Sequence, residues 1–552
     1  MKEVSVLVGG RAGDGINNAG AIIAQLFNHL GYFVYISIDY PSLIRGGHNF
    51  ALVRAADEPV GAYNNRIDYL VALNQETLDL HLPGSPDCTV VANSDLVKSI
   101  NNDQMVSLKE ILKAESAPPI TGNSAMIGAF AKAAGIPWEI VREVFSRHMP
   151  KAADENIRVA RRAYDQIRTT RPVPALSGKT HSLISGNEAI GLGLVAGGLS
   201  HYISYPMTPS STLLHFLATN AERFGINVIH PENEIAVILM GLGSATAGAR
   251  TAVGTSGGGF CLMTEGLSFA GMAEIPIVIV VSQRTGPSTG LPTYTGQAEL
   301  QFVLHAGQGE FPRLVVAPAD PGEAYRWSLA AMQLAWKYQI PAFVLPDKTL
   351  SESTFSVDYD TLAGLPEADP VLWDGQAPYQ RYQDTPTGVT PLAFPGRKDA
   401  IVKVNSYAHN EDGITIEDAA HVTMMAEKRR RKEAQLKEEL IRYPCVSLRG
   451  TASATTALLC WGSVRIACDE VATRLGLRVI QPVVLSPFPD QQFAEVCRGA
   501  DRLIAVEENT TGQLAALVRE HGGRVDEMIL KYDGRPFTPD ELFQRVQEAI
   551  TP

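Results

Sequence analysis

Unbroken apolar runs of strand length, set between glycine turns and helix patterns, limit what this chain can fold into. "EVSVLVG" from Glu3, "IPIVIVVS" from Ile275, "PRLVVAPA" from Pro312 and "ALLCWG" from Ala457 are mostly apolar, and the middle two show no apolar/polar alternation. Strands of that kind suit a sheet covered by helices on both faces. Over residues 1–175 strands alternate with helix patterns such as "NAGAIIAQLFNHLG", which predicts a parallel, doubly wound α/β domain. A Pro-, Ser- and Gly-rich linker from Thr169 leads into a second α/β unit over 181–355. Residues 356–445 read as an irregular linker carrying "MAEKRRRKEAQLKEELIR" from Met425, whose alternating signs predict a solvated helix. Residues 446–552 return to α/β.

Composition narrows the partners. The 552 residues include 47 Lys+Arg against 59 Asp+Glu, a net charge of -12, with no basic block near a terminus, so no nucleic-acid partner is expected. No apolar run approaches the roughly 18 residues of a membrane span, and the expected location is the cytoplasm with no membrane partner. Cys88, Cys261, Cys445, Cys460, Cys468 and Cys497 are scattered without a CxxC, so no metal site is expected in this chain.

Several short stretches carry candidate chemistry. In "ISYPMTPSSTLLHFL" from Ile203, Pro206 and Pro209 stiffen Tyr205 to Thr208, and Thr208 reads as an N-cap with Pro209 at the first helical position. "GGRAGDG", with Gly10, Gly13 and Gly15, lies between a strand and a helix and suits an anion-binding turn. Its G-x-x-G-x-G spacing differs from the dinucleotide fingerprint, and Asn17 and Asn18 follow too soon to complete a GDG…NN motif. "RGGHN" sets Arg45 and His48 around two glycines, where an arginine can grip a phosphate or carboxylate. Glu232 and Glu234 lead into a glycine-laced apolar helix, and a buried carboxylate there is suited to acid–base chemistry. "TSGGGF" surrounds Ser256 and Gly257 with glycines and adds Phe260, a plausible bed for a flat heterocycle. Arg284, in "SQRTGPSTGLPT", falls at the carboxyl end of a buried strand, where α/β ligands bind.

Taken in order, "YPMTP", "ENE", "TSGGGF" and "SQRTGPSTGLPT" resemble the α subunit of 2-oxoacid:ferredoxin oxidoreductases. "GGRAGDG" with "RGG" is similar to that family's γ domain, and "SPFPDQQ" and "EENTTGQL" to its transketolase-C-like domain. Met207, Gly258 and Ala12 depart from the more usual isoleucine, proline and glycine without removing a polar group. The resemblance implies three successive domains: a γ-type α/β domain, a pyrimidine-binding α/β domain and a transketolase-C-like domain. It also implies a thiamine diphosphate-dependent reaction turning a 2-oxoacid and coenzyme A into acyl-CoA and CO2 while reducing ferredoxin, a reaction that fixes CO2 when reversed.

By the same resemblance Glu234, rather than Glu232, is the catalytic glutamate acting on the cofactor. Tyr205, Pro206, Ser256, Gly257 and Phe260, with the glycine loop, bind cofactor, while Thr208, Arg284 and Thr293 bind substrate. Arg45 and His48 serve either the distal end of the substrate or coenzyme A. Mg2+ and a 4Fe-4S cluster belong to a β subunit, in an (alpha-beta)2 heterotetramer. The expected substrate is 2-oxoglutarate. Open alternatives are a pyruvate-specific or broad enzyme, a non-catalytic regulator, and a coenzyme A ligase or nucleotide-binding protein using the glycine loop.

Overall fold

The run from Glu3 becomes the middle of an eight-stranded sheet. In the computed structural model, which describes residues 3–41, 47–98, 104–149, 151–358 and 364–551, the chain divides into two units. The first comprises residues 1–184, 353–360 and 538–540. Its sheet runs in the order Gln104–Val106, Thr89–Asn93, Tyr69–Ala72, Glu3–Arg11, His48–Ala56, Phe33–Asp39, Thr354–Val357, Ser182–Ser185.

Half of this sheet departs from the parallel expectation. Glu3–Arg11 pairs in parallel with Tyr69–Ala72 but antiparallel with His48–Ala56, which is itself antiparallel to Phe33–Asp39. Parallel neighbours need a crossover of about a dozen residues or more. Phe33–Asp39 and His48–Ala56 are separated by too few positions for such a crossover, and they pair antiparallel. Helices Ile16–His29 and Gly122–Ala133 supply Phe27 and Phe130, which meet at 6.1 Å, and Tyr69 of the sheet meets Phe130 edge-on at 5.3 Å.

The second unit, residues 185–352, 361–537 and 541–552, contains two sheets. The seven-stranded one is ordered Val484–Ser486, Leu314–Val316, Pro341–Val344, Ile277–Val281, Thr251–Thr255, His201–Ser204, Asn227–Ile229. All its pairings are parallel except that of Val484–Ser486. Thr251–Thr255 and Ile277–Val281 are buried at every residue, as their apolar runs require. The chain reverses its direction of travel at His201–Ser204, placing a topological switch point between that strand and Thr251–Thr255. In such sheets ligands bind outside the carboxyl ends at the switch. The five-stranded sheet is ordered Val446–Gly450, Arg478–Pro482, Thr456–Leu459, Arg502–Glu507, Glu527–Leu530.

The charged helix differs from its expected character. It spans Ala419–Leu440, six residues longer at its start, and one face is buried. Lys428 and Lys432, one turn apart, are 0% and 1% exposed and both bind the carboxylate of Glu274, Lys428 at 2.8 Å. Arg381 adds a bond to the Glu274 carbonyl at 2.6 Å. Burial alone would raise the Glu274 carboxyl, but Lys428 and Lys432 hold it well below the usual range. The alternating signs therefore hid a clasp between this helix and the end of helix Gly257–Met272.

Removing only the anion from such a clasp strands two buried ammonium groups. Glu274→Gln is expected to destabilise the fold by about 3–5 kcal/mol. Lys437→Ala, which breaks an exposed pair with Asp490, is expected to cost about 0–1 kcal/mol. Urea titration followed by circular dichroism measures both, and equal losses would contradict the assignment.

Candidate active site

Three loops leave the carboxyl ends of His201–Ser204, Thr251–Thr255 and Ile277–Val281, and each brings polar groups to the switch point. The first differs from the sequence reading. Its helix is Ser211–Thr219 with Ser210 at the N-cap, so Thr208 is not the cap and Pro209 is not the first helical residue. The cause is tertiary. Arg284 Nη1 donates to the Thr208 carbonyl at 2.8 Å, and Asn187 Nδ2 donates to that of Pro209 at 2.9 Å. Tyr205 and Pro206 are exposed at the front of this loop, and the Tyr205 ring meets His230 at 5.8 Å.

In the second loop Ser256 is the N-cap of helix Gly257–Met272, yet its hydroxyl makes no capping bond and is buried without a partner. Helix Glu234–Thr246 begins beside it, capped by Asn233, whose Oδ1 accepts from Ala236 N at 3.0 Å. Glu234 is 4% exposed and its Oε1 has no hydrogen-bond partner, whereas Glu232 is exposed. A side-chain carbon on Gly259 would stand 2.5 Å from Glu234 Oε1 and would also strike Thr255 Oγ1. The glycine thus makes the space that the carboxylate fills. Phe260 is fully buried, edge-on to Phe302 at 5.0 Å and Phe343 at 5.4 Å, so it lies in the core behind the turn.

The third loop holds Arg284, Thr293 and an acid the sequence reading passed over, Glu299. Arg284 is 8% exposed with Nε unpartnered, and Thr293 Oγ1 and Glu299 Oε2 are also buried without partners. Glu299 Oε1 lies 2.6 Å from where a side-chain carbon on Gly257 would stand. Burial pushes the Glu299 carboxyl up to about 8, against the pull of backbone N–H groups and Arg284.

The loop is pinned at its far end by Gln297. Gln297 N donates to the Glu508 carbonyl at 2.7 Å, Glu508 N returns a bond to Gln297 Oε1 at 3.1 Å, and Gln297 Nε2 reaches the Trp461 carbonyl at 2.9 Å and Asp347. Glu508 sits inside "EENTTGQL", a motif whose resemblance was legible while its anchoring role was not.

In the N-terminal unit Gly10 belongs to the strand Glu3–Arg11 rather than to a loop, paired with Asn49, and a side chain there would strike Asp14 and Ile16. Gly13 and Gly15 take positive φ, and Gly15 precedes helix Ile16–His29 with no side-chain cap. His48 Nε2 lies 2.8 Å from His81 Nε2, and burial holds the His48 pKa below its ordinary value. Arg45 lies outside the described residues. The structure therefore gathers Thr208, Glu234, Ser256, Gly257, Arg284 and Thr293 around one set of strand ends, with Tyr205 and Pro206 at the front and Glu299 as an addition.

Buried acid, arginine and glycine turn meet at the switch point of an α/β sheet, where ligands bind, and comparison with known proteins identifies the class as an oxidoreductase. Residues 193–428 match the family described as pyruvate flavodoxin/ferredoxin oxidoreductase, thiamine diphosphate-binding, and residues 5–166 match pyruvate ferredoxin/flavodoxin oxidoreductase. The chain is 30% identical to 2-oxoacid:ferredoxin oxidoreductase 2, subunit alpha, of Aeropyrum pernix, covering 100% of this chain and 98% of that protein. It is 27% identical to the 2-oxoglutarate oxidoreductase subunit KorA of Mycobacterium tuberculosis over 100% of this chain and 92% of the relative. A solved structure of 2-oxoglutarate:ferredoxin oxidoreductase from Magnetococcus marinus, with 2-oxoglutarate, coenzyme A and succinyl-CoA bound, superimposes with a TM-score of 0.89 at 28% identity over 100% of both chains. The chain belongs to the 2-oxoacid:ferredoxin oxidoreductase family, as an alpha-type subunit of an oxidoreductase.

The glycines give a steric test. Gly259→Ala forces Glu234 and Thr255 aside and is expected to lower turnover at least about tenfold, the low end for disturbing an acid–base group. Gly258→Ala, with Ser288 O 3.7 Å away, should leave turnover within about twofold, a small change by the scale of helix propensity. Steady-state assay of both variants in the assembled enzyme checks this.

Proposed function

We propose that the chain combines a γ-type domain (1–175), a pyrimidine-binding domain (181–355) and a transketolase-C-like domain (446–552) in an enzyme that oxidises 2-oxoglutarate. With coenzyme A the products are the acyl-CoA and CO2, ferredoxin takes the electrons, and the reverse direction fixes CO2. The observation that carries this is Glu234, buried at a helix head with Oε1 unpartnered against a glycine turn, in a chain similar along its whole length to 2-oxoglutarate:ferredoxin oxidoreductase.

The residues fit thiamine diphosphate. Glu234 Oε1 and Ser256 Oγ are buried polar atoms without protein partners, and Gly257 and Gly259 keep the turn between them free of side chains. When bound, the cofactor supplies a carbon nucleophile and an electron sink for the 2-oxo carbon. Glu234 Oε1 and Ser256 Oγ would hold the cofactor's ring by hydrogen bonds, Glu234 as the group that carries a proton there, Tyr205 and Pro206 would border it, and Phe260 backs the turn. Arg284, aimed by its bond to the Thr208 carbonyl, binds the substrate carboxylate, and Thr293 orients it. The unpartnered Nε of Arg284 and Oγ1 of Thr293 support that assignment. The glycine loop at Gly10, Gly13 and Gly15, with Arg45 and His48, is assigned to coenzyme A or to the distal end of the oxoacid.

Mg2+ and a 4Fe-4S cluster are assigned to a β subunit in an (alpha-beta)2 heterotetramer, since the six cysteines here are scattered and no correctly spaced GDG…NN occurs. The surface near Glu234 supports a partner. Ile235, Leu239 and Met240 on helix Glu234–Thr246 and Leu262 on helix Gly257–Met272 are 47%, 51%, 40% and 48% exposed, a large apolar face at the head of the site. Among the described residues no helix is long and apolar enough to cross a membrane, and a cytoplasmic location is proposed.

Glu234→Gln is expected to lower turnover at least about a hundredfold while the fold survives, and Glu232→Gln to do much less. Reversed sensitivities would move the role to Glu232. For the substrate, kcat/KM for 2-oxoglutarate should exceed that for pyruvate on the assembled enzyme, and His48→Ala or Arg45→Ala should narrow the ratio. A preference for pyruvate would favour the pyruvate-specific alternative.

A further inference from the structure

Glu299 is a second buried carboxylate at these strand ends, and the reading above leaves it without a role. It is 8% exposed, Oε2 has no hydrogen-bond partner, and its backbone N donates to Gln283 Oε1 at 3.2 Å. Its charge acts on Arg284, yet the two form no ion pair within 4.0 Å, and Arg284 spends Nη1 on a backbone carbonyl instead. A purely structural arginine this close to a buried acid would be expected to close on it, since a buried charge is costly unless paired. Here the cation is held short of its internal anion. How much positive field an incoming carboxylate meets then depends on whether Glu299 carries a charge.

We propose that Glu299 is a positioning residue for substrate affinity, whose protonation state sets how much of the Arg284 charge is available to the carboxylate of the 2-oxoacid. This rests on the assignment of Arg284 to that carboxylate. The neutral acid leaves the guanidinium unopposed, and the ionised acid cancels part of its field and repels the substrate directly. Burial raises the Glu299 carboxyl to about 8, so it is mostly neutral at pH 7 and mostly ionised a pH unit above its midpoint. Among its neighbours, Gln283 and Gly257 are uncharged, and Gln513 bonds the Ala298 carbonyl. Glu234, bordering Gly259 two residues beyond Gly257, is the other acid at the turn. Raising the pH should therefore weaken oxoacid binding, and by linkage oxoacid binding should favour uptake of a proton.

The test uses the assembled enzyme, with KM for 2-oxoglutarate and for coenzyme A measured from about pH 6.5 to about pH 9, spanning the Glu299 midpoint. In the wild type KM for the oxoacid should rise roughly fivefold or more, the scale of one nearby charge at intermediate dielectric, and KM for coenzyme A should not follow. Glu299→Gln, permanently neutral, should hold the low oxoacid KM across the range. Arg284→Ala should give a high KM at every pH. An unchanged KM in Arg284→Ala would overturn the assignment of Arg284 and this inference with it. A raised KM there, with the wild-type rise persisting in Glu299→Gln, would leave Arg284 in place and overturn the inference alone. Should Glu299→Gln fail to fold, the wild type decides: an oxoacid-selective rise supports the proposal and a flat profile overturns it.

Discussion

The site depends on one steric bargain: two carboxylates lie where a helix turn has given up its side chains. Gly257 and Gly259 both face space taken by acids, Glu299 and Glu234, and any side chain at either position would evict one of them. The turn belongs to a helix that starts at the end of a fully buried strand, so its backbone has little freedom to retreat. Helix propensity is sacrificed for access, since glycine weakens a helix relative to alanine by about 0.5–1 kcal/mol. The turn is instead supported from behind, by Phe260 packed against Phe302 and Phe343.

A second constraint keeps the arginine loop in register with that turn. Gln297 bonds Glu508, Asn509, Trp461 and Asp347 through both its backbone and its side chain. Those partners lie just past the ends of strands Pro341–Val344, Thr456–Leu459 and Arg502–Glu507, which belong to the seven-stranded and five-stranded sheets of the same unit. Loop position is thus set by a buried polar hub rather than by the loop's own turns. Buried polar networks of this kind specify one arrangement, because each partial alternative leaves a desolvated group unpaired.

Much of this was legible beforehand, for physical reasons that differ by residue. Ile277–Val281 announced itself because a doubly covered strand has no polar face to disguise it. Glu234 was preferred to Glu232 only through the family resemblance; the structure buries Glu234 and exposes Glu232, a difference that the sequence around them does not announce. The helix after Tyr205 was placed two residues early, because Thr-Pro is a local start signal and the bonds from Arg284 and Asn187 that displace it come from distant sequence. His48–Ala56 was hidden as a strand behind "RGG", whose glycines read as a turn. Glu299 was passed over because an acid just before a short helix usually serves the helix itself. Lys428 and Lys432 were misread because charge alternation reports the average face of a helix, and the partner that buries them lies more than 150 residues away in sequence.

The Glu274 clasp has a consequence for the conditions this fold tolerates. Dissolved salt weakens charge pairs by gathering counterions around them, within a screening distance of roughly 8–10 Å at physiological strength. Counterions can gather at Lys437 and Asp490, which are both substantially exposed, but not around Lys428, Lys432 and Glu274, which water does not reach. The attachment of the long helix is thereby insulated from the ionic composition of its surroundings, while the pairs on its outer face are left to vary with it.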